Sequence, residues 1–177
     1  MKKIYNSIMR VNVIKLYAIT LPSHLVWLLV VGIVLRVAGL QFSQHVASSS
    51  EFSSSLFFIP CVALVEEMMF RWVPMTLLSL ALIVLTKLKI INTEKRDTIE
   101  IYGIYAVVIG ISIWFGMLHG NVFNILLQGV SSLIFFMFYL RTYFRRKQEN
   151  PKISYQMRPL LASTIYHTVS NAVMIII

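Results

Sequence analysis

Acidic residues are scarce in this sequence: seven stand among 177, against sixteen Lys and Arg, and charged residues make up 13% of the chain. So thin a charged complement excludes an ordinary soluble domain. Cys61 is the single cysteine, so no internal disulfide can form and the redox compartment is not legible. Inside its apolar run it is expected to pack as a small hydrophobe. No soluble domain, internal repeat or long linker interrupts the chain. One membrane domain over 1–177 is expected, with an N-terminal helix and polar loop over 1–55 and a helical core over 56–177.

What fills the chain is apolar, at 58% hydrophobic residues and a mean hydropathy of +0.76. The cations fall between apolar runs, at Lys2, Lys3, Arg10 and Lys15, then over 87–96, then over 141–158. Cations so placed mark cytoplasmic loops and a cytoplasmic N-terminus. A nucleic-acid groove needs a continuous basic face, so nucleic acid is excluded as a partner and the lipid bilayer is the expected one.

The runs predict an all-α polytopic membrane fold of about five spanning helices at roughly 20 residues each. Residues 13–39 read as an uncleaved first helix rather than a signal peptide, because the run exceeds an h-region and no clean small-x-small site follows. Gln41 to Ser55, rich in Ser and free of Lys and Arg, is expected to be an outside loop. Leu56 to Trp72 reads as the second crossing. Pro74 is expected to kink or break it, leaving 74–86 as a continuation or a half-inserted helix. Residues 99–119 and 122–140 form a hairpin around Gly120 and Asn121, and Pro159 opens the last helix over 160–177.

Glu66 and Glu67 lie side by side inside an apolar segment, where an ionisable group costs several kcal/mol and is a functional candidate by default. Arg71, four residues after Glu67, can meet it on one helical face as an ion pair. Glu66 points about 100 degrees away and lacks that partner. One acid is therefore expected to be structural and the other free for chemistry. His119 and His167 also sit in or at the end of apolar helices, and Asn171 follows His167 on the same face. A carboxylate, two imidazoles and an amide suit hydrolysis: the acid takes a proton from water, an imidazole orients that water, and N–H donors stabilise an oxyanion.

The strings Glu66-Glu67-Met-Met-Phe-Arg71, Phe115-Gly-Met-Leu-His119 and His167-Thr-Val-Ser-Asn171, in that order, resemble the three motifs EExxxR, FxxxH and HxxxN of the CAAX-protease and bacteriocin-processing family of intramembrane glutamic endopeptidases. The resemblance covers roughly residues 56–174. It implies that Glu66 activates water together with His119, that His167 and Asn171 form the oxyanion site, and that Glu67, Arg71 and Phe115 support the motif helices. It implies no cofactor; zinc on one Glu and two His is the less favoured reading. The implied partner is a peptide or membrane-anchored protein substrate, a prenylated C-terminus or a bacteriocin leader among them, and the implied location a bacterial cytoplasmic membrane.

The chain departs from the family in Trp72, where Gly commonly follows the arginine, and in the long basic stretch between Thr142 and Pro159. Two other readings use the same residues: a non-catalytic bacteriocin immunity or binding protein on the same fold, and a proton-coupled transporter. His24 and His45 are expected at the interface or in loops, and Met68 and Met69 in the core. Asn121 and Asn124 are expected to cap or bond the hairpin.

Overall fold

A bilayer leaves no water for backbone groups, so an apolar run of this length satisfies them only as a helix. The computed structural model describes residues 13–40, 58–149 and 157–176, and every regular element among them is helical. Helix α1 is Val13–Val37; α2 is Phe58–Lys87; α3 is Thr93–Leu118. Helix α4 opens in a π turn, Ile125–Gly129, and continues as Val130–Glu149, and α5 is Met157–Ile176. The polar stretch expected as an outside loop, His45 included, lies outside the described residues.

Four of these helices, α1 to α4, are long and apolar enough to cross a membrane. The protein is thus an all-α polytopic integral membrane protein. Helix α5 has 20 residues and buries Ser163, Thr164, His167 and Ser170. Its polar side is turned inward, against α2 and α4, with α1 alongside.

The segment after Pro74 neither breaks nor dips: Val73–Lys87 continues the same helix. Proline cannot donate to the carbonyl four residues back. The backbone absorbs the defect just upstream, in a π turn over Met68–Trp72, where the Val73 N–H reaches Met68 O. Ala63, Glu67, Phe70 and Arg71 are buried at helical spacing, which turns Met68 and Met69 to the opposite side, 39% and 58% exposed, instead of filling the core. Cys61 is exposed too, because an apolar run in lipid needs no hidden face.

Helices α3 and α4 approach closely. A Cβ on Gly116 would lie 2.6 Å from Ile125 Cα, and one on Gly129 would lie 2.9 Å from Ser112 O. Only small residues allow this crossing. The turn between the helices is fastened by Asn121, whose Oδ1 accepts from the Phe123 N–H, and by Asn124, whose amide donates to His119 O. The core is aromatic. Met75, Ile104, Phe136, Tyr139, Tyr143 and Leu160 join α2 to α5, while Phe135, Phe138 and Tyr166 take Leu16, Tyr17 and Leu21 of α1.

Candidate functional site

The site begins on α2, where Glu67 Oε1 meets Arg71 Nη1 at 3.0 Å with both side chains fully buried. The π turn opens immediately after Glu67 and carries Arg71. Such turns recur at functional sites because they re-aim side chains within a helix. The Arg71 guanidinium lies over the rings of Phe115, Phe135 and Phe136, at 5.0, 5.2 and 5.4 Å. Its Nη2 donates to Ser132 Oγ at 2.7 Å, and Ser112 Oγ donates to the same oxygen at 3.2 Å. One cation thereby ties α2 to α3 and α4. Its planar face suits the rings and its edge the acceptors, a combination a lysine could not supply.

His167 of α5 stands between the two acids. Its Nδ1 is 2.9 Å from Glu67 Oε1 and its Nε2 is 3.4 Å from Glu66 Oε2. Its ring stacks on Phe135 at 4.2 Å, which fixes the imidazole plane. A proton is needed on each contact for both to attract. Glu66 is the open member of the group: its side chain is 28% exposed, against 0% for Glu67 and 4% for His167. Glu66 therefore has a partner the sequence did not offer it, an imidazole rather than an arginine, and it alone of the trio faces outward.

His119 caps the end of α3. Its Nδ1 donates to Phe115 O at 2.7 Å, so the neutral ring carries its proton there and leaves Nε2 as an acceptor. Its depth follows from register. Helices α2 and α3 pack side by side, joined by a short basic turn over 88–92, and so run antiparallel. Phe70 of α2 meets Phe115 of α3, ring to ring, at 5.1 Å. One turn beyond that contact, toward the same end of the bundle, lie Glu66 on α2 and His119 on α3. Both sit about 6 Å past the Phe pair, at the same level. The imidazole near a helix end and the acid inside a helix thus share a depth because α2 begins farther out than α3 ends.

Asn171 lies one turn beyond His167 on α5, half-buried, and its amide makes no hydrogen bond to another described residue. The structure therefore brings Glu66, Glu67, Arg71 and His167 into direct contact, joins Phe115 to them through Arg71, and leaves His119 and Asn171 at the margin. Ser132, Ser112 and Phe135 belong to the same cluster although sequence reasoning missed them. Serine and phenylalanine in an apolar helix carry no distinguishing signal. Among the described residues no three His, Cys, Asp or Glu side chains are grouped to hold a metal ion.

His24 is likewise not at an interface. It is 1% exposed in the middle of α1, with Nε2 2.8 Å from Ser131 Oγ and Nδ1 3.3 Å from Tyr166 OH. Buried polar partners on two neighbouring helices hold it inside the bundle, where hydropathy alone gave no reason to put it.

No family model, curated protein or solved structure matches this chain. Its functional reading therefore rests on the motif resemblance and on the geometry of the cluster itself.

Proposed function

We propose that the protein is an intramembrane endopeptidase that hydrolyses a peptide bond of a membrane-associated peptide or protein, with Glu66 as the base. The observation that carries this reading is the asymmetry of the two acids. Glu67 is neutralised by Arg71 in a fully buried pair, while Glu66 stays partly exposed beside an imidazole. A stable framework needs only the first. A carboxylate kept open at this depth, at a cost of several kcal/mol, suits proton transfer to or from a small molecule such as water.

In this reading a water beside Glu66 gives up a proton to the carboxylate while its oxygen bonds to the scissile carbonyl carbon. His119 Nε2, the acceptor at the same level, orients that water. The developing oxyanion takes hydrogen bonds from His167 Nε2–H, turned from Glu66, and from the Asn171 amide. Collapse of the intermediate breaks the C–N bond, and Glu66 returns its proton to the leaving amine. Glu67 holds His167 through Nδ1, and Arg71 with Phe115 holds Glu67. The cationic ends of α2, α3, α4 and α5 lie on one side of the bundle, which supports reading that side as the cytoplasmic one.

The test compares purified wild type with Glu66→Gln on a library of membrane-anchored and prenylated peptides, reading products by mass spectrometry. Cleavage by wild type and its loss by at least about a hundredfold in the variant is the expected result. Equal cleavage by both would remove Glu66 from the mechanism. A wild type that cleaves nothing, yet confers a cellular phenotype the variant retains, would replace the enzyme with a binding protein.

A further inference from the structure

We propose that His24, in the middle of α1, is a positioning residue that sets the roll of α4 and α5 and so presents Ser132 and His167 to the site. Two hydrogen bonds fix its role. Ser131 Oγ donates to Leu127 O at 2.8 Å, so it can only accept from His24 Nε2–H. His24 Nδ1 is then the acceptor for the Tyr166 hydroxyl. One neutral imidazole thus donates to α4 and accepts from α5.

Its two partners are the sequence neighbours of residues in the cluster. Ser131 precedes Ser132, which holds Arg71, and Tyr166 precedes His167, which meets both acids. Adjacent residues on a rigid helix project about 100 degrees apart. Fixing one at the α1 face fixes the direction of the other at the site. Phe135 completes the link, with its ring edge-on to His24 at 6.0 Å and stacked on His167 at 4.2 Å. A lone packing histidine would need one hydrogen-bond partner; this one has a partner on α4 and another on α5, two of the helices that line the cluster.

The consequence for activity rests on the peptidase reading, so the experiment has an arm independent of cleavage. The full chain, labelled with 15N-histidine, is studied in detergent micelles; four histidines give a sparse spectrum, and His167→Gln assigns the His167 signals. His24→Phe keeps a ring but removes both polar atoms. His24→Gln restores one donor and one acceptor. Tyr166→Phe and Ser131→Ala each remove a single hydroxyl and carry the test if His24→Phe fails to fold.

The expected result is that the His167 signals move in His24→Phe and Tyr166→Phe and return toward wild type in His24→Gln. In parallel kcat for peptide cleavage falls about ten- to a hundredfold with KM little changed, as expected when reacting groups are misplaced by about 1 Å. Unmoved His167 signals in both Phe variants would overturn the proposal, and so would a His24→Gln protein that behaves as His24→Phe. If the wild type cleaves nothing, the peptidase reading fails, and the His167 signals still decide whether His24 positions the site.

Discussion

Replacing Arg71 by Met keeps much of the side chain's bulk and deletes its charge. Glu67, fully buried, then loses the cation 3.0 Å away, and Ser132 loses its 2.7 Å donor. Breaking a buried pair from one side costs about 3–5 kcal/mol, because the surviving carboxylate keeps only the His167 contact at 2.9 Å in place of its cation. The three aromatic contacts are smaller, about 0.5–2 kcal/mol each, and Met retains part of that packing. The orphaned carboxylate therefore dominates, and this yields a ranking. Arg71→Met should lose about 3–5 kcal/mol, and Arg71→Lys, which keeps the charge but not the planar fork, about 1–3 kcal/mol. Arg71→Met combined with Glu67→Gln should recover to within about 2 kcal/mol of wild type, since no unpaired charge remains. Denaturant unfolding in mixed micelles, followed by the fluorescence of the three tryptophans, gives the free energies, with Trp72 next to the substituted residue. A double variant no more stable than Arg71→Met, or an Arg71→Met protein within about 0.5 kcal/mol of wild type, would refute the assignment of Arg71 as the charge that makes Glu67 tolerable.

Other features make separate predictions. Gly116→Ala should cost about 1–3 kcal/mol, because its Cβ would meet the Ile125 backbone, whereas Gly110→Ala, which meets nothing within 4 Å, should be neutral or mildly stabilising; thermal melts in detergent separate the two. Tyr143→Phe removes the 3.0 Å hydrogen bond to the buried Glu100 and should lower stability by about 1–2 kcal/mol in the same assay. Peptide cleavage should survive an excess of a zinc chelator unchanged, since water activation is assigned to Glu66 and His119; loss of activity that zinc restores would return the metal to the mechanism.

The part of the site legible in the sequence is the part governed by local geometry. An acid inside an apolar run must find a partner, and four-residue spacing on one helix names Arg71 for Glu67 without any knowledge of the other helices. The choice between Glu66 and Glu67 for His167 was not legible, because it depends on how α5 rolls against α2, and both acids in fact reach the same imidazole from opposite sides. Met68 and Met69 were assigned to the core on apolar character alone, whereas the face set by Glu67 and Arg71 turns both toward the outside. Cys61 and His24 show a limit of another kind. In a soluble protein polarity separates inside from outside, but in a bilayer the outer face is as apolar as the core, so a cysteine can lie outside and a histidine at the centre with the same hydropathy around them.

Helix α5, which follows α2, α3 and α4 along the chain, brings His167 to acids made before it. A segment with this many hydroxyl and imidazole groups partitions poorly into lipid alone and is drawn in by the surfaces of α2 and α4. Until it docks, Glu67 and Arg71 can pair within one helix while Glu66 has no imidazole beside it. A half-made chain thus contains both acids but not the histidine that completes the cluster.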